Sequence, residues 1–248
     1  MKKLVTICLF AKPPRPGEVK TRLAKSIGER AAVALASAFL ADTWRAINAL
    51  EWAEPVLAVT AHEGLPPLPG RPTVWLQGEG DLGARLECIL RRALQDGRPA
   101  IAVGADTPGL PRRLLEQAAV MLLERGTTPE SCRPPGGTGK LSPRAGADVV
   151  LGPAEDGGFY LLGMRTCPRG ALAGLPWSVP ETFAETAFRL AKLGLWIAQL
   201  EPWFDVDRAA DLERLAALVA FGGLDAPATT RTLVELGAIP SSKVRRCA

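Results

Sequence analysis

Histidine is almost absent from this sequence, because His62 is the only one among 248 residues. A metal site built from several histidines is therefore excluded, and a Ser-His-Asp or Cys-His mechanism would have to use His62. That residue lies in a polar segment just past a predicted strand, where an exposed loop histidine is the simpler interpretation. Carboxylates, lysines and arginines must then carry any catalysis, and these side chains suit magnesium and phosphate chemistry.

Cysteines are few and far apart. The chain has five, an odd number, and none forms a C-x-x-C pair. This spacing argues against a disulfide framework or a zinc site and favours a reducing compartment, so a cytoplasmic location is expected. The five are Cys8, Cys88, Cys132, Cys167 and Cys247.

Long apolar runs are also missing, so we expect no membrane-spanning helix and no membrane partner. The first residues resemble a short signal peptide, with Lys2 and Lys3 ahead of the apolar segment 4–11. However, Lys12 and two prolines stand where a small-residue cleavage site belongs, so a buried first strand is predicted instead. With 47% hydrophobic residues, the chain can bury a substantial core.

What is present is an alternation of short apolar runs with longer amphipathic segments. Strands are predicted at 4–10, 56–60, 73–76, 101–105, 149–151, 159–162 and 195–200, and helices at 28–50, 81–95, 111–125, 181–192 and 208–220. This order predicts a three-layer α/β/α fold with a mostly parallel central sheet, as one domain over 1–248. The segment 126–147, rich in glycine and proline, is predicted to be a flexible surface insertion, and 222–248 a C-terminal extension.

The net charge is only +4, but it is unevenly placed. Between residues 10 and 25 there are five cations against one anion, and the cations are Lys12, Arg15, Lys20, Arg22 and Lys25. Since few aromatic residues accompany them, the patch suits a small phosphorylated ligand better than a nucleic acid. This loop joins the first strand to the first helix and is a plausible phosphate cradle, with an ordinary basic loop as the alternative.

Three further loops carry carboxylates just after predicted strands, where ligands collect in open α/β sheets. Asp106 follows a hydrophobic strand directly and is either a helix cap or a magnesium ligand. Glu155 and Asp156 precede two glycines, as in a ligand-binding loop or a hairpin turn. Asp205 and Asp207 stand one residue apart ahead of a helix, as a weak metal signal or a cap.

One motif favours a different class of protein. The segment 78–83 reads G-x-G-x-x-G after a predicted strand, and Asp106 ends the next strand as a ribose-binding acid would in a Rossmann dinucleotide site. An NAD(P)-binding oxidoreductase is therefore a second hypothesis. Against it, the motif lies well inside the chain rather than at its first strand.

Six motifs in order resemble one family. They are 10–12 with 20–23, 77–86, 104–108, 152–160, 176–178 and 205–207. Together they resemble the DUF2064 family of radical-SAM/selenodomain-associated transferases, an arsenosugar-type glycosyltransferase group within the GT-A nucleotide-diphospho-sugar transferase superfamily. That superfamily also includes guanylyltransferases. The resemblance covers roughly residues 4 to 220 and favours a transferase role for the segment 78–83.

The resemblance implies an enzyme that transfers a sugar from a nucleotide-sugar donor to a small-molecule acceptor, with Mg²⁺ or Mn²⁺ as cofactor. The implied metal ligands are Asp106 and Asp207, with Asp205 as the rival of Asp207. The predicted catalytic residues are Asp106, Asp156 and Lys20, with Asp156 able to accept the proton of the acceptor hydroxyl. The predicted nucleotide- and phosphate-binding residues are Lys12, Arg15, Lys20, Thr21, Arg22, Gly80 and Asp81.

Two alternatives stay open within this resemblance. A guanylyltransferase-like enzyme would use a nucleoside triphosphate and a phosphorylated acceptor and would release pyrophosphate. A nucleotide-binding regulator without catalysis would use the carboxylates only as caps. The sequence leaves a homodimer open and predicts no nucleic-acid partner.

Overall fold

The computed structural model describes residues 3–124 and 146–240. Its centre is a seven-stranded sheet in the order β3-β2-β1-β4-β6-β5-β7. The strands are β1 (Val5–Ala11), β2 (Ala53–Val59), β3 (Thr73–Leu76), β4 (Ala100–Gly104), β5 (Val149–Pro153), β6 (Phe159–Met164) and β7 (Ile197–Gln199). Six strands are parallel, and β6 is antiparallel to both of its neighbours. The predicted mostly parallel sheet is confirmed.

Helices cover both faces of this sheet. They are α1 (Thr21–Ile27), α2 (Glu29–Asn48), α3 (Leu82–Ala93), α4 (Arg112–Leu123), α5 (Thr182–Lys192), α6 (Ala209–Ala220) and α7 (Pro227–Glu235). In the described part of the chain, none of them has both the length and the hydropathy to cross a bilayer.

The three layers follow from the alternation of side chains along the strands. In β1, Ile7 and Leu9 lie in the core that packs against α2 and α4. Cys8, between them, lies in the core that packs against α3 and α5. Strands that are buried on both faces in this way are typical of a parallel sheet covered by helices. The three-layer α/β/α prediction is therefore confirmed.

Two helices were not predicted, and both belong to a third apolar cluster. Leu23 of α1 and Leu233 of α7 pack there with Phe39 of α2 and Leu215 of α6. Part of the predicted C-terminal extension thus lies in this cluster. Residues 241–248 of that extension, and 126–145 of the predicted insertion, lie outside the described residues, whereas Ala147 is buried. The single domain over 1–248 stays a prediction.

Candidate active site

The site begins where β1 and β4 end side by side. The two strands pair in parallel up to Phe10 and Gly104, and the backbone N–H of Ala105 donates to the carbonyl of Phe10 at 3.1 Å. Asp106 follows at once, and its carbonyl accepts a hydrogen bond from the N–H of Val206 at 3.2 Å. The segment that contains Asp205 and Asp207 is thereby brought to the carboxyl ends of β1 and β4.

One lysine joins the two acidic segments. The Nζ of Lys20 lies 2.9 Å from Oδ1 of Asp106 and 2.8 Å from Oδ1 of Asp207. The lysine side chain is only 3% exposed, whereas the carboxylates of Asp106 and Asp207 are 59% and 38% exposed. Three residues predicted separately for the site are therefore in direct contact, with the cation below and the anions open to solvent. We call Lys20, Asp106 and Asp207 the lysine-carboxylate cluster.

The backbone and the core both hold Lys20 in place. It is one of two non-glycine residues with a positive φ in the described ranges, at φ 48°, and the other is Ser178. Such left-handed residues cost about 1–3 kcal/mol and concentrate at functional sites. The Lys20 carbonyl accepts the first hydrogen bond of α1, from Ala24 N–H at 2.8 Å. The aromatic ring of Phe39 lies 5.9 Å from its Nζ, within cation–π range.

Lys20 remains charged in this setting. Burial lowers the pKa of the amine, but the neighbouring carboxylates of Asp106 and Asp207 raise it by more, so the pKa lies above its ordinary value. Both carboxylates also accept hydrogen bonds from the ammonium, which favours the charged form. The cluster is therefore an ammonium held between two carboxylates.

The structure does not support a capping role for Asp106. The following helix, α4, begins at Arg112 with Pro111 before it and has no side-chain cap. Within the described ranges, the only side-chain partner of the Asp106 carboxylate is Lys20. Its exposed position at the end of β4 leaves it open to a ligand.

Asp205 and Asp156 form the acidic surroundings of this cluster. Burial, and after it the charges of Asp156 and Asp207, raise the pKa of Asp205 to about 6. Asp156 is exposed, and its Oδ1 accepts a hydrogen bond from the N–H of Gly158 at 2.9 Å. Of the two predicted rivals for metal binding, Asp207 contacts Lys20 directly, whereas Asp205 is the carboxyl with the raised pKa.

Some of the predicted phosphate-binding side chains are exposed, and one already makes a hydrogen bond within the protein. Lys12, Thr21 and Arg22 are exposed. Arg15 is occupied, since its Nη2 donates to the carbonyl of Glu63 at 2.8 Å. Exposed cations beside the carboxyl end of β1 remain available to a diphosphate.

The other predicted nucleotide-binding residues lie in the loop after β3. Gly80 is exposed with φ 95°. Asp81 caps α3, because its Oδ1 accepts the N–H of Ala84 at 2.8 Å. This loop is tied to β1 through the buried Gln77, whose Nε2 donates to the carbonyl of Ala11 at 3.2 Å. The loop is therefore held against the strand that leads to Lys12.

The structure contradicts the dinucleotide-binding hypothesis. A Rossmann sheet is mostly parallel and carries its glycine fingerprint in the turn after its first strand, which is a central strand of the sheet. Here the G-x-G-x-x-G segment follows the edge strand β3, and β6 is antiparallel. Gly83 serves packing, because a Cβ there would lie 2.2 Å from the carbonyl oxygen of Leu172.

A family sequence profile matches residues 43–179, more than half of the chain, and its family is described as uncharacterized proteins conserved in bacteria, DUF2064. The chain belongs to the DUF2064 family. The predicted family is thereby confirmed. The matched span includes Asp106 and Asp156, whereas Lys20 and Asp207 lie outside it.

A solved structure extends the likeness to nearly the whole DUF2064 chain. It is the crystal structure of a "putative nucleotide-diphospho-sugar transferase" from Desulfovibrio desulfuricans G20, with 26% identity, a TM-score of 0.75, and 94% of this chain and 96% of that chain covered. A CMP:2-keto-3-deoxy-manno-octonic acid synthetase complexed with CTP is 15% identical at a TM-score of 0.48, covering 87% and 98% of the two chains. The second likeness is too weak to bear on function. No curated protein matches the chain.

The carboxylate pair of this DUF2064 protein fits a magnesium ion. In residues 3–124 and 146–240, no group of three or more histidine, cysteine or acidic side chains is placed to hold a metal. However, Mg²⁺ in phosphate-handling sites commonly takes one or two carboxylates, with substrate phosphates and water as its other ligands. Asp106 and Asp207 are partly exposed and contact the same nitrogen atom. They therefore supply the one or two carboxylates that such a magnesium site needs.

Sequence reasoning missed the residue that holds Asp207. The Oδ2 of Asp211, in the first turn of α6, accepts hydrogen bonds from the backbone N–H of Asp207 at 3.0 Å and of Arg208 at 2.7 Å. The usual sequence signal for this contact is the capping box, in which an acidic residue stands three positions after the N-cap residue of the helix. The signal was hidden because Arg208 stands where Ser or Thr is expected.

We expect Asp205 to make a contribution to the stability of the protein that is lost between about pH 4 and pH 7. Its pKa in the folded protein, about 6, is above the value of about 3.9 in the unfolded chain. The folded state therefore binds the proton more tightly, and this contribution is lost as the pH rises through 6. Solvent screening limits the loss to about 1 kcal/mol. Thermal unfolding of Asp205→Asn and wild type across this range checks it, and parallel curves would contradict it.

Proposed function

We propose that this DUF2064 protein is a glycosyltransferase that takes a nucleotide-diphospho-sugar as donor and a small molecule as acceptor, with Mg²⁺ or Mn²⁺ as cofactor. The observation that carries the proposal is the lysine-carboxylate cluster at the carboxyl ends of β1 and β4. Ligands of open α/β sheets bind at these strand ends. The likeness to the Desulfovibrio desulfuricans protein, which spans the cluster, supports the same class of donor.

The charges at this edge suit a sugar diphosphate. Asp106 and Asp207 would hold the metal, which when bound supplies charge neutralisation for the departing nucleoside diphosphate. Two exposed cations bind the phosphate oxygens: Lys12 in the loop that follows β1, and Arg22 in the first turn of α1. The proposed site thus uses carboxylates and cations at the carboxyl-end edge of the sheet and needs no histidine.

Asp156 is the side chain best placed to take a proton from the acceptor. It is exposed in the turn between β5 and β6, near enough for its charge to raise the pKa of Asp205. Its Oδ1 accepts the N–H of Gly158, which orients the carboxylate and leaves Oδ2 for an acceptor hydroxyl. A carboxylate within hydrogen-bond reach of the attacking hydroxyl is what general-base catalysis requires.

The donor class can be tested by thermal shift with a panel of nucleotide-sugars, free nucleoside diphosphates and nucleoside triphosphates, each with and without Mg²⁺. A ligand that binds only the native state raises the melting temperature. We expect at least one nucleotide-sugar to do so, and only with the metal. Slow hydrolysis of that donor should then release a nucleoside diphosphate. Release of pyrophosphate from a triphosphate with a phosphorylated acceptor would instead assign nucleotidyl transfer.

Loss of two exposed cations should weaken donor binding. In Lys12→Ala with Arg22→Ala, we expect the affinity for the nucleotide found by thermal shift to fall about tenfold, since each exposed ion pair contributes about 0.2–1 kcal/mol in water. Isothermal titration calorimetry at moderate salt measures it. Lys25→Ala with Arg30→Ala, two cations also exposed on α1 and α2, is the matched control. Equal affinities in the two double variants would refute the phosphate cradle.

A further inference from the structure

The carboxylates that would hold the metal already hold a cation. We propose that Lys20 is a resident counter-cation that a divalent metal must displace from Asp106 and Asp207, so that metal binding and movement of Lys20 are one exchange. The inference deepens the proposed function, since it concerns how that site takes up its metal, and it rests on that function for its biological use.

Both carboxylates contact the same ammonium. Lys20 Nζ lies 2.9 Å from one Oδ1 and 2.8 Å from the other, which is the spacing of direct hydrogen bonds. In the described ranges, neither carboxylate has another cationic partner. A divalent ion bound to the same carboxylates would lie close to the ammonium and repel it, because both cations would draw on the same two carboxylates.

The lysine ammonium and a metal ion would approach the two carboxylates from opposite sides. The ammonium lies beneath the carboxylates, 3% exposed and 5.9 Å from the centre of the Phe39 ring. Asp106 and Asp207 are open to solvent, so a metal ion reaches them without passing the lysine. An ammonium displaced from both partners cannot remain buried without a counter-charge. It must therefore move toward solvent or toward an incoming phosphate.

The side chain and backbone of Lys20 permit such a movement. A lysine carries its charge on a flexible four-carbon stem with rotatable donors. Its left-handed backbone, at φ 48°, is a conformation that a residue of this kind keeps only when its surroundings hold it. The contact with two carboxylates is one of the interactions that keep Lys20 in this conformation, and losing that contact makes the conformation easier to leave. After release, the ammonium can move no farther from the metal site than the length of the lysine side chain. It therefore stays near the place where a diphosphate would bind.

The exchange has a consequence for ligand order. A metal ion on its own must compete with Lys20, so the metal-free protein binds it weakly. A metal ion that arrives with a diphosphate brings the anion that the released ammonium needs. The cluster would thereby favour uptake of the metal-donor complex over uptake of the free ion.

The first experiment measures Mn²⁺ alone, without nucleotide, by electron paramagnetic resonance. Lys20→Met removes the ammonium and keeps the length of the side chain, so we expect Mn²⁺ to bind at least tenfold more tightly than to wild type. Lys25→Met, which changes an exposed lysine on α1, should match wild type. Equal or weaker Mn²⁺ binding by Lys20→Met would overturn the proposal.

The second experiment uses the wild-type protein and therefore does not depend on folding of the variant. Lysines are acetylated with an N-hydroxysuccinimide ester and the modified residues are quantified by mass spectrometry. Without metal, Lys20 should react at least tenfold more slowly than Lys25, and saturating Mn²⁺ should raise its rate at least fivefold with no change at Lys25. Continued protection of Lys20 in saturating Mn²⁺ would overturn the exchange. Neither experiment contains a nucleotide, so a failure of the proposed donor class would appear separately.

Discussion

Asp106→Asn is expected to reduce the proposed glycosyl transfer at least 100-fold while the melting temperature changes by no more than about 2 °C. The amide has the size of the carboxylate but lacks its charge, and charge is what a metal ligand and a partner of Lys20 must supply. For comparison, removal of one oxyanion-hole hydrogen-bond donor, which also stabilises transition-state charge, costs about 2.7–4 kcal/mol. Donor hydrolysis or transfer at limiting Mg²⁺ measures the rate, and thermal unfolding measures the stability.

The structure gives the reason why stability should be preserved. The Asp106 side chain is 59% exposed, its only side-chain partner in the described ranges is Lys20, and it caps no helix. Lys20 keeps its second contact, with Asp207. A variant of Asp106 therefore loses no buried hydrogen bond to the backbone.

Asp96→Asn is the matched control for this experiment. Asp96 is an exposed aspartate that also pairs with a cation, Arg98, at 2.8 Å. It lies just before β4, at the opposite end of that strand from Asp106. We expect Asp96→Asn to transfer at the wild-type rate, since surface ion pairs contribute little. Wild-type activity in Asp106→Asn would remove Asp106 from the site.

Gly83→Ala is expected to destabilise the fold by about 3 kcal/mol or more, which corresponds to a melting temperature about 6–12 °C lower for a chain of this size. A Cβ at Gly83 would lie 2.2 Å from the carbonyl oxygen of Leu172 and 3.1 Å from the ring of Trp177. The first contact is with backbone, which cannot move aside as a flexible side chain does. Chemical denaturation followed by circular dichroism measures the change.

Gly104→Ala provides the control for an added methyl group. Gly104 lacks a positive φ, and a Cβ there would meet no atom within 4 Å. We expect its free energy of unfolding to stay within about 0.5 kcal/mol of wild type. A Gly83→Ala protein as stable as Gly104→Ala would contradict the packing role. It would also reopen the question of why the G-x-G-x-x-G segment needs its last glycine.

The sequence by itself determined the layers of this protein. Consecutive apolar residues such as Ile7, Cys8 and Leu9 require a strand that is buried on both faces, and amphipathic segments such as α3 require a sheet to cover. The reversal of β6 was also within reach of the sequence. Only the short turn around Asp156 connects β5 to β6, and a parallel crossover needs a dozen residues or more.

The two helices that sequence reasoning missed depend on contacts made elsewhere in the chain. Helix α1 is seven residues long and is separated from α2 only by Gly28 at φ 85°. Helix α7 is held by the buried Asp42 of α2, whose Oδ1 and Oδ2 accept the N–H groups of Ala228 at 3.0 Å and Thr229 at 2.7 Å. Short helices are marginal without such packing, and local propensity does not show it.

The candidate site divides in the same way. The types of its residues could be read from the sequence, because a chain with one histidine has only carboxylates and basic groups to offer, and strand ends indicate which of them face a ligand. The contact between Lys20 and Asp207 spans 187 positions and arises only when β1, β4 and the segment before α6 meet. Tertiary structure alone decided that the lysine lies buried between the carboxylates, because burial is a property of the packed chain and not of the loop that carries it.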